Sequence, residues 1–304
     1  MIRGFGASLR PRDIRAARSA RAARSARASR ASRDSALLGA AACLAVALTG
    51  CAAPTAADGD AGGPAASGDT SANLASAEIT VLAAASLTEA FDELVTRFEA
   101  ANPAVEVTLG YGGSGALATQ VVEGAPADVF ASAAEPPMQQ VVDAGDALDP
   151  VVFATNTLEL VVPAGNAAGV SGLDDLANPD LRIALCDESV PCGAASAKLL
   201  ANEGVVAAPD TLESDVKAVL TKVSLGEVDT ALVYRTDVEA AEGDVEGIEI
   251  AAAAKVVNRY PIAAITTPGT NDGAAEARAA AAFVAFVTGD EGRETLDAFG
   301  FGAP

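Results

Sequence analysis

Residues 78–101 read EITVLAAASLTEAFDELVTRFEAA, and this stretch decides the fold class. Its first six residues form an apolar, β-branched run that is typical of a buried strand. Four large apolar residues then recur at the spacing of one helix face: Leu87, Phe91, Leu94 and Phe98. The stretch therefore predicts a strand followed directly by a helix, with Ser86 and Glu89 as a capping box at the helix start.

The same alternation of strand-like and helix-like segments continues to the end of the chain. Further strands are predicted at 105–110, 128–131, 158–162, 181–185, 230–234 and 260–266, and a long alanine-rich helix at 273–288. The strands are short, nearly continuous apolar runs with little polar alternation, which is typical of parallel strands covered on both faces. The pattern predicts an α/β protein.

Composition excludes several functional classes. The 304 residues include 41 acidic and 20 basic side chains, a formal net charge of −21, and no histidine. The excess of acidic groups opposes binding to nucleic acid. Without histidine, Ser-His-Asp and Cys-His catalytic arrangements and His-ligated zinc are excluded. The composition therefore argues against an enzyme of these classes.

The first fifty residues differ from the rest. They hold ten arginines and two aspartates, and an apolar run at 36–48 leads to Leu48-Thr49-Gly50-Cys51. This arrangement resembles the lipobox of bacterial lipoproteins; the alternative is an ordinary secretory signal with a chance cysteine. We expect residues 1–50 to be a lipoprotein signal peptide and Cys51 to carry the lipid. Residues 51–77, rich in Ala, Gly, Pro and Ser, are expected to form a flexible tether. The protein would then be exported and lipid-anchored to the outer face of the cytoplasmic membrane.

Export permits disulfides, and the four cysteines divide accordingly. Cys43 would leave with the signal peptide and Cys51 would carry lipid, which leaves Cys186 and Cys192. We expect a bridge between these two, with two free thiols as the alternative.

Several predicted helices begin directly after strands, at or next to small or polar residues. These positions are Ser86, Ser114 in the glycine-rich run 110–115, Cys192 after Val190-Pro191, and Val216 after Ser214-Asp215. Ligands of open α/β sheets bind beyond the carboxyl ends of strands, and helix N-termini present unpaired N–H groups to anions. The run 110–115 also matches G-x-G-x-x-G, but it follows the second strand of an exported protein, which disfavours a dinucleotide site.

Taken together, these segments resemble the molybdate-binding proteins of bacterial ABC importers. The resemblance lies in the segments 81–87, 113–115, 117–120, 124–133, 190–193, 215–216 and 232–234 and in the ending Phe299-Gly300-Phe301. The resemblance implies a two-lobed periplasmic-binding-protein fold of type II with a ligand cleft between the lobes. Lobe I would comprise residues 78–157 plus 256–304, and lobe II residues 158–255.

The resemblance also implies the site. Five residues would enclose a tetrahedral oxyanion, molybdate or tungstate: Ser86 and Ser114 by side chain and amide, Cys192 and Val216 by amide, and Tyr234 by hydroxyl. Neutral donors alone should reject an anion that carries a proton. We expect a monomer that serves a membrane permease, uses no cofactor or further metal, and catalyses no reaction. The alternatives are a receptor for sulfate or another tetrahedral oxyanion, and an enzyme that uses Ser86 or Ser114.

Overall fold

Ten strands form two five-stranded sheets within residues 74–241, 243–266 and 273–304, the part of the chain that the computed structural model describes. The strands are β1 Ala77–Ala84, β2 Val105–Gly112, β3 Val129–Ala131, β4 Val151–Asn156, β5 Leu158–Pro163, β6 Ile183–Cys186, β7 Thr211–Glu213, β8 Thr230–Tyr234, β9 Val245–Ile248 and β10 Asn258–Ala264. The helices are α1 Thr88–Ala101, α2 Ser114–Val122, α3 Glu135–Ala144, α4 Pro191–Glu203, α5 Val216–Ser224, α6 Arg235–Ala240, α7 Ala274–Thr288 and α8 Asp290–Ala298.

Both sheets are mixed. The first has the order β2-β1-β3-β10-β4 and the second β7-β6-β8-β5-β9. In each, three strands run parallel, while β10 is antiparallel to β3 and β4, and β5 is antiparallel to β8 and β9. The chain enters the second sheet after β4 and returns to the first as β10. The prediction of parallel strands is therefore right for β2, β1 and β3 in the first sheet and for β7, β6 and β8 in the second. It is wrong for the strands that run antiparallel. The mixed α/β architecture and the two-lobed fold agree with the prediction.

Helices cover both faces of the first sheet. Alternate residues of β1 point to opposite faces, so Val81 packs in the cluster with α1, α7 and α8, while Leu82 packs with α2 and α3. The predicted stripe on α1 is buried, and Phe98 meets Phe283 of α7 edge-on with ring centroids 5.2 Å apart. Such an aromatic pair contributes about 0.5–1.5 kcal/mol beyond area burial.

The second sheet packs against α4 and α5 in one continuous apolar cluster. The described residues of both sheets belong to one compact unit that lies within 68–304, so this part of the chain carries its own cores. Each helix in the described ranges is too short or too polar to cross a bilayer.

Some sequence predictions fall outside the described residues or need correction. The signal peptide and Cys51 lie outside them, as does the tether up to residue 73, and Ala77 already belongs to β1. The strands β4, β7 and β9 and the helix α8 were not predicted. The capping box was wrong: residues 85–87 form a 3-10 turn, α1 begins at Thr88, and no side chain caps it. The Ser86 hydroxyl instead contacts the hydroxyl of Tyr260.

Candidate functional site

One cavity gathers the segments that follow several strands. It is lined by Ala84, Ala85, Ser86, Gly112, Gly113, Ser114, Ala133, Val190, Pro191, Cys192, Asp215, Val216 and Tyr234. All five residues predicted for the ligand are among them. Segments of both sheets contribute, and the space is about 220 Å³, open solvent included. Because this figure includes open solvent, the room that the cavity walls leave is smaller still, and the cavity suits only a small ligand.

Backbone segments are close-packed at Gly113, which lines the cavity, and at Gly193, which follows the cavity residue Cys192. A Cβ on Gly113, just before α2, would overlap the carbonyl oxygen of Ser214, which lies two residues before α5. A Cβ on Gly193 would overlap the carbonyl oxygen of Asp187. Glycine at 113 thus allows the segments from the two sheets to meet across the cavity.

Helix starts supply backbone donors. Ser114 is the first residue of α2, Cys192 the second of α4, and Val216 the first of α5. N–H groups in the first turn of a helix have no partner inside the helix, and the helix dipole places about half a positive charge there. The side chain of Asp215 occupies only the N–H of Ala218, at 2.9 Å. These helix starts therefore direct backbone N–H donors at the cavity, and the acidic side chain of Asp215 stands at one of them.

The hydroxyl of Ser114 is oriented by a backbone donor. The N–H of Ala133 donates to Ser114 Oγ at 3.0 Å, in a fully buried contact. An amide N–H can only donate, so the serine oxygen accepts and its own hydrogen is available for another acceptor. Because Ser114 lines the cavity, its hydroxyl can donate that hydrogen to a ligand there.

Asn258 orients Tyr234 in the same way. Its Nδ2 donates to the carbonyl oxygen of Ala133 at 2.9 Å and to the Tyr234 hydroxyl at 3.0 Å. The carbonyl can only accept, which fixes the amide orientation. Burial raises the pKa of Tyr234 well above 10, so the phenol keeps its proton. Tyr234 therefore accepts from Asn258, and its one hydrogen can be donated either to the neighbouring Tyr260 hydroxyl or to a ligand.

The third cavity hydroxyl, that of Ser86, contacts Tyr260. The two hydroxyl oxygens are 3.0 Å apart, and Asn156 Nδ2 lies 3.5 Å from the Tyr260 oxygen. Asn156 Oδ1 accepts from the N–H of Thr157, which turns its NH₂ group toward the tyrosine. Burial raises the pKa of Tyr260 as well. Either hydroxyl can be the donor in the Ser86–Tyr260 contact, and when Tyr260 donates, the hydrogen of Ser86 is available to a ligand in the cavity.

The cavity thus offers donors and little formal charge. Among the described residues that line it, none is a lysine or an arginine, and Asp215 is the one acid. Neither serine has a neighbour that could act as a general base, because Ser114 meets an amide N–H and Ser86 meets a phenol. Within the described ranges no three acidic or cysteine side chains converge to hold a metal ion. The arrangement can bind an anion.

A disulfide joins Cys186 at the end of β6 to Cys192 at the start of α4. The two residues expected to pair are therefore paired in the structure. Cys192 lines the cavity, so the bridge fixes one cavity wall to the sheet. The sequence separation of six predicts that it stabilises the fold by about 2 kcal/mol through loop closure.

The structure also shows site residues that were not predicted. Ala133, Asn258 and Tyr260 contact the predicted residues, at separations of up to 174 positions along the chain, and Asn156 contacts Tyr260. No local sequence pattern identifies these residues.

Comparison with known proteins agrees with this geometry. A family model described as "Bacterial extracellular solute-binding protein" matches residues 79–302. The chain belongs to this family. This solute-binding protein is 40% identical over 227 residues to the molybdate-binding protein ModA of Mycobacterium tuberculosis, covering 74% of this chain and 85% of that one. It is 32% identical over 231 residues to the putative ABC transporter substrate-binding lipoprotein YvgL of Bacillus subtilis, covering 74% and 86%.

Solved structures show the same fold. The periplasmic molybdate-binding protein of Azotobacter vinelandii matches the solute-binding protein with a TM-score of 0.62 at 21% identity, covering 74% of this chain and 99% of that chain. The sulfate-binding protein SubI of Mycobacterium tuberculosis matches with a TM-score of 0.60 at 20% identity, covering 74% and 86%. The sequence resemblance to molybdate-binding proteins is confirmed, and the relatives are solute-binding transport proteins, not enzymes.

Proposed function

We propose that this chain captures molybdate, and tungstate as well, outside the cytoplasmic membrane and delivers it to an ABC importer. One observation carries the proposal: the hydroxyl oxygens of Ser114 and Tyr234 each accept from a protein N–H, and Ser86 shares a hydrogen bond with Tyr260, so all three hydroxyls can turn a hydrogen toward a ligand. The 40% identity to a molybdate-binding protein supports the choice of ion.

In this proposal the ion is bound by hydrogen bonds without a counter-charge. The hydroxyls of Ser86, Ser114 and Tyr234 donate to its oxygens, as do the backbone amides of Cys192 and Val216 and those of the two serines. Hydrogen bonds to a charged partner contribute roughly 1.5–3 kcal/mol each, so several of them suffice for micromolar or tighter binding despite association costs. The dipoles of these N–H and O–H groups stabilise the anion in place of lysine and arginine side chains.

The donor set determines which anions fit. Molybdate, tungstate and sulfate are fully deprotonated dianions at neutral pH, whereas hydrogen phosphate carries a proton. That proton would face a donor and leave a buried polar contact unsatisfied, at a cost of roughly 1–3 kcal/mol. We expect phosphate to bind roughly 5- to 150-fold more weakly on this ground alone.

The two sheets support an assignment of lobes. Lobe I would be residues 78–157 plus 256–304, and lobe II 158–255. In support, β4 and β5 are separated by Thr157 alone, and residues 249–257 link β9 to β10. Ser86 and Ser114 would belong to lobe I, and Cys192, Val216 and Tyr234 to lobe II. Rotation about these two links would close the lobes on the ion and create the surface that a permease recognises.

Anchoring belongs to the same proposal. A lipid on Cys51 would attach the protein to the outer face of the cytoplasmic membrane, with residues 51–77 as the spacer. The basic and then apolar sequence before Cys51 supports this, as does the similarity to YvgL, a protein named as a lipoprotein. We expect the protein to act as a monomer on its permease.

Sulfate is the second candidate cargo. The TM-scores to the sulfate-binding and molybdate-binding structures are nearly equal, so the shared fold does not separate the two functions. Sulfate has the same charge and shape as molybdate but is smaller. The fit of each ion in the cavity therefore determines which of the two binds more tightly.

Isothermal titration of residues 68–304 with molybdate, tungstate, sulfate and phosphate tests the proposal. We expect one-to-one binding of molybdate and tungstate, much weaker sulfate binding and no detectable phosphate binding. Sulfate binding at least as tight as molybdate would transfer the function to a sulfate receptor. Absence of binding by all four anions would refute the proposed function.

A further inference from the structure

A lysine joins the two lobes beside the cavity. Lys217 Nζ lies 2.8 and 2.9 Å from the two carboxylate oxygens of Glu89, and 3.1 Å from Asp237 Oδ1. Glu89 is in the first turn of α1, which packs on the first sheet. Lys217 is the second residue of α5, and Asp237 lies in α6; both helices follow strands of the second sheet. The contact to Glu89 therefore crosses between the lobes.

Each member of this cluster is next to a proposed ligand contact. Lys217 follows Val216 directly, and Glu89 lies three residues after Ser86. The second oxygen of Asp237 accepts the N–H of Tyr234 at 3.2 Å. A shift of one lobe against the other would separate Glu89 from Lys217 and Ser86 from Tyr234 together.

The lysine is held in position by its own lobe. The side chain of Asp237 is fully buried, and that of Lys217 is 23% exposed. Burial acts to lower the pKa of Lys217, but Asp237 and Glu89 outweigh it, so the pKa is raised and the ammonium is charged. A buried carboxylate needs a charged partner in any conformation. Lys217 therefore keeps its contact with Asp237 whether or not Glu89 is near. Its ammonium group is then already in position when Glu89 approaches.

We propose that Lys217 is a positioning residue for binding, which clasps Glu89 across the cleft and favours the closed arrangement of the two lobes around the ion. This inference rests on the proposed function. The lysine is not among the residues that line the cavity, so it acts through the lobes and not by contact with the anion. Its effect should appear in the rate at which the ion leaves.

Glu89→Gln separates this role from general electrostatics. Removing a negative charge near an anion site should tighten binding if charge alone matters, because the repulsion falls. Loss of the clasp should weaken binding, and partly exposed ion pairs of this kind predict a rise in Kd of up to about fivefold, mainly through faster dissociation. The two explanations thus predict opposite signs.

The chain offers matched controls. Glu93→Gln lies one turn further along α1, where Glu93 pairs with Arg97 of the same helix. Lys222→Met lies on α5, where Lys222 pairs with Glu213 and Glu227 of its own lobe. Lys217→Met serves as a second test variant, read together with its melting temperature, because it leaves Asp237 buried without a partner.

The experiment measures molybdate affinity by titration and dissociation by stopped-flow tyrosine fluorescence, using residues 68–304. We expect Glu89→Gln to bind several-fold more weakly with unchanged melting temperature, and both controls to bind as the unmodified protein does. Equal or tighter binding by Glu89→Gln would overturn the inference. If the unmodified protein binds no anion, the proposed function fails, and ligand-free X-ray scattering decides the clasp: a larger radius of gyration for Glu89→Gln supports it, and identical scattering overturns it.

Discussion

Replacing Tyr234 with Phe removes one hydroxyl from the cavity and leaves the buried ring in place. In the proposed complex this hydroxyl donates to an oxygen of the ion, and its own oxygen accepts from Asn258 at 3.0 Å. Loss of a hydrogen bond to a charged partner costs roughly 1.5–3 kcal/mol. Since about 1.4 kcal/mol corresponds to tenfold, the Kd for molybdate should rise about 10- to 150-fold.

The cost to the fold should be much smaller. Asn258 keeps its second bond, to the carbonyl oxygen of Ala133, so the variant loses one neutral hydrogen bond worth about 1 kcal/mol. For a domain of this size that corresponds to a melting temperature lower by about 2–4 °C. Affinity and stability therefore respond very differently, and titration together with thermal unfolding distinguishes them.

The other two tyrosines provide a matched series. Tyr111 bonds to Asp92 and to the carbonyl oxygen of Thr88, outside the cavity, so Tyr111→Phe should leave the Kd unchanged. Tyr260→Phe removes the partner that orients Ser86 and should weaken binding about two- to tenfold, the value of one neutral hydrogen bond. A Kd for Tyr234→Phe within threefold of that of the unmodified protein would refute the role assigned to its hydroxyl.

Three further perturbations test other parts of the account. Gly113→Ala places a methyl group against the carbonyl of Ser214 across the cavity, so it should weaken molybdate binding at least about tenfold while changing the melting temperature little; unchanged affinity would contradict the close approach. Converting Cys186 and Cys192 together to Ser should lower the unfolding free energy by about 2 kcal/mol in denaturant titrations and weaken binding, and equal stability with and without the bridge would contradict this. Burial raises the pKa of Asp237 to about 6, above its ordinary value of 3.8, so the folded state takes up a proton before the unfolded state does. The unfolding free energy relative to Asp237→Asn should therefore rise as the pH falls from about 7 to about 4.5, and a flat or opposite trend in denaturant titrations would contradict the shift.

The site residues that the sequence predicted share a local signature. Ser86, Ser114, Cys192 and Val216 all stand where a strand leads into a helix, and such junctions can be recognised from hydrophobic periodicity and small residues. The resemblance to a known family then supplied the role of each. All five predicted residues line one cavity, although their contact with an ion stays a proposal.

The supporting residues could not be predicted in this way. Tyr260 reaches Ser86, and Asn258 reaches Ala133, because β10 returns from the second sheet and lies antiparallel beside β3. That pairing is set by the order of strands in the sheet, which local periodicity does not encode. For the same reason the capping box was wrong: the Ser86 hydroxyl is bonded to a residue 174 positions away, and Glu89 is bonded to Lys217.

The central claim is that a cavity of neutral donors holds the oxyanion, and anomalous diffraction at the molybdenum absorption edge tests it most directly. In crystals grown with molybdate, we expect one anomalous peak inside the cavity, with oxygens within about 3 Å of Ser86 Oγ, Ser114 Oγ and the Tyr234 hydroxyl. A peak outside the cavity, or an ion held by lysine or arginine side chains, would contradict the account.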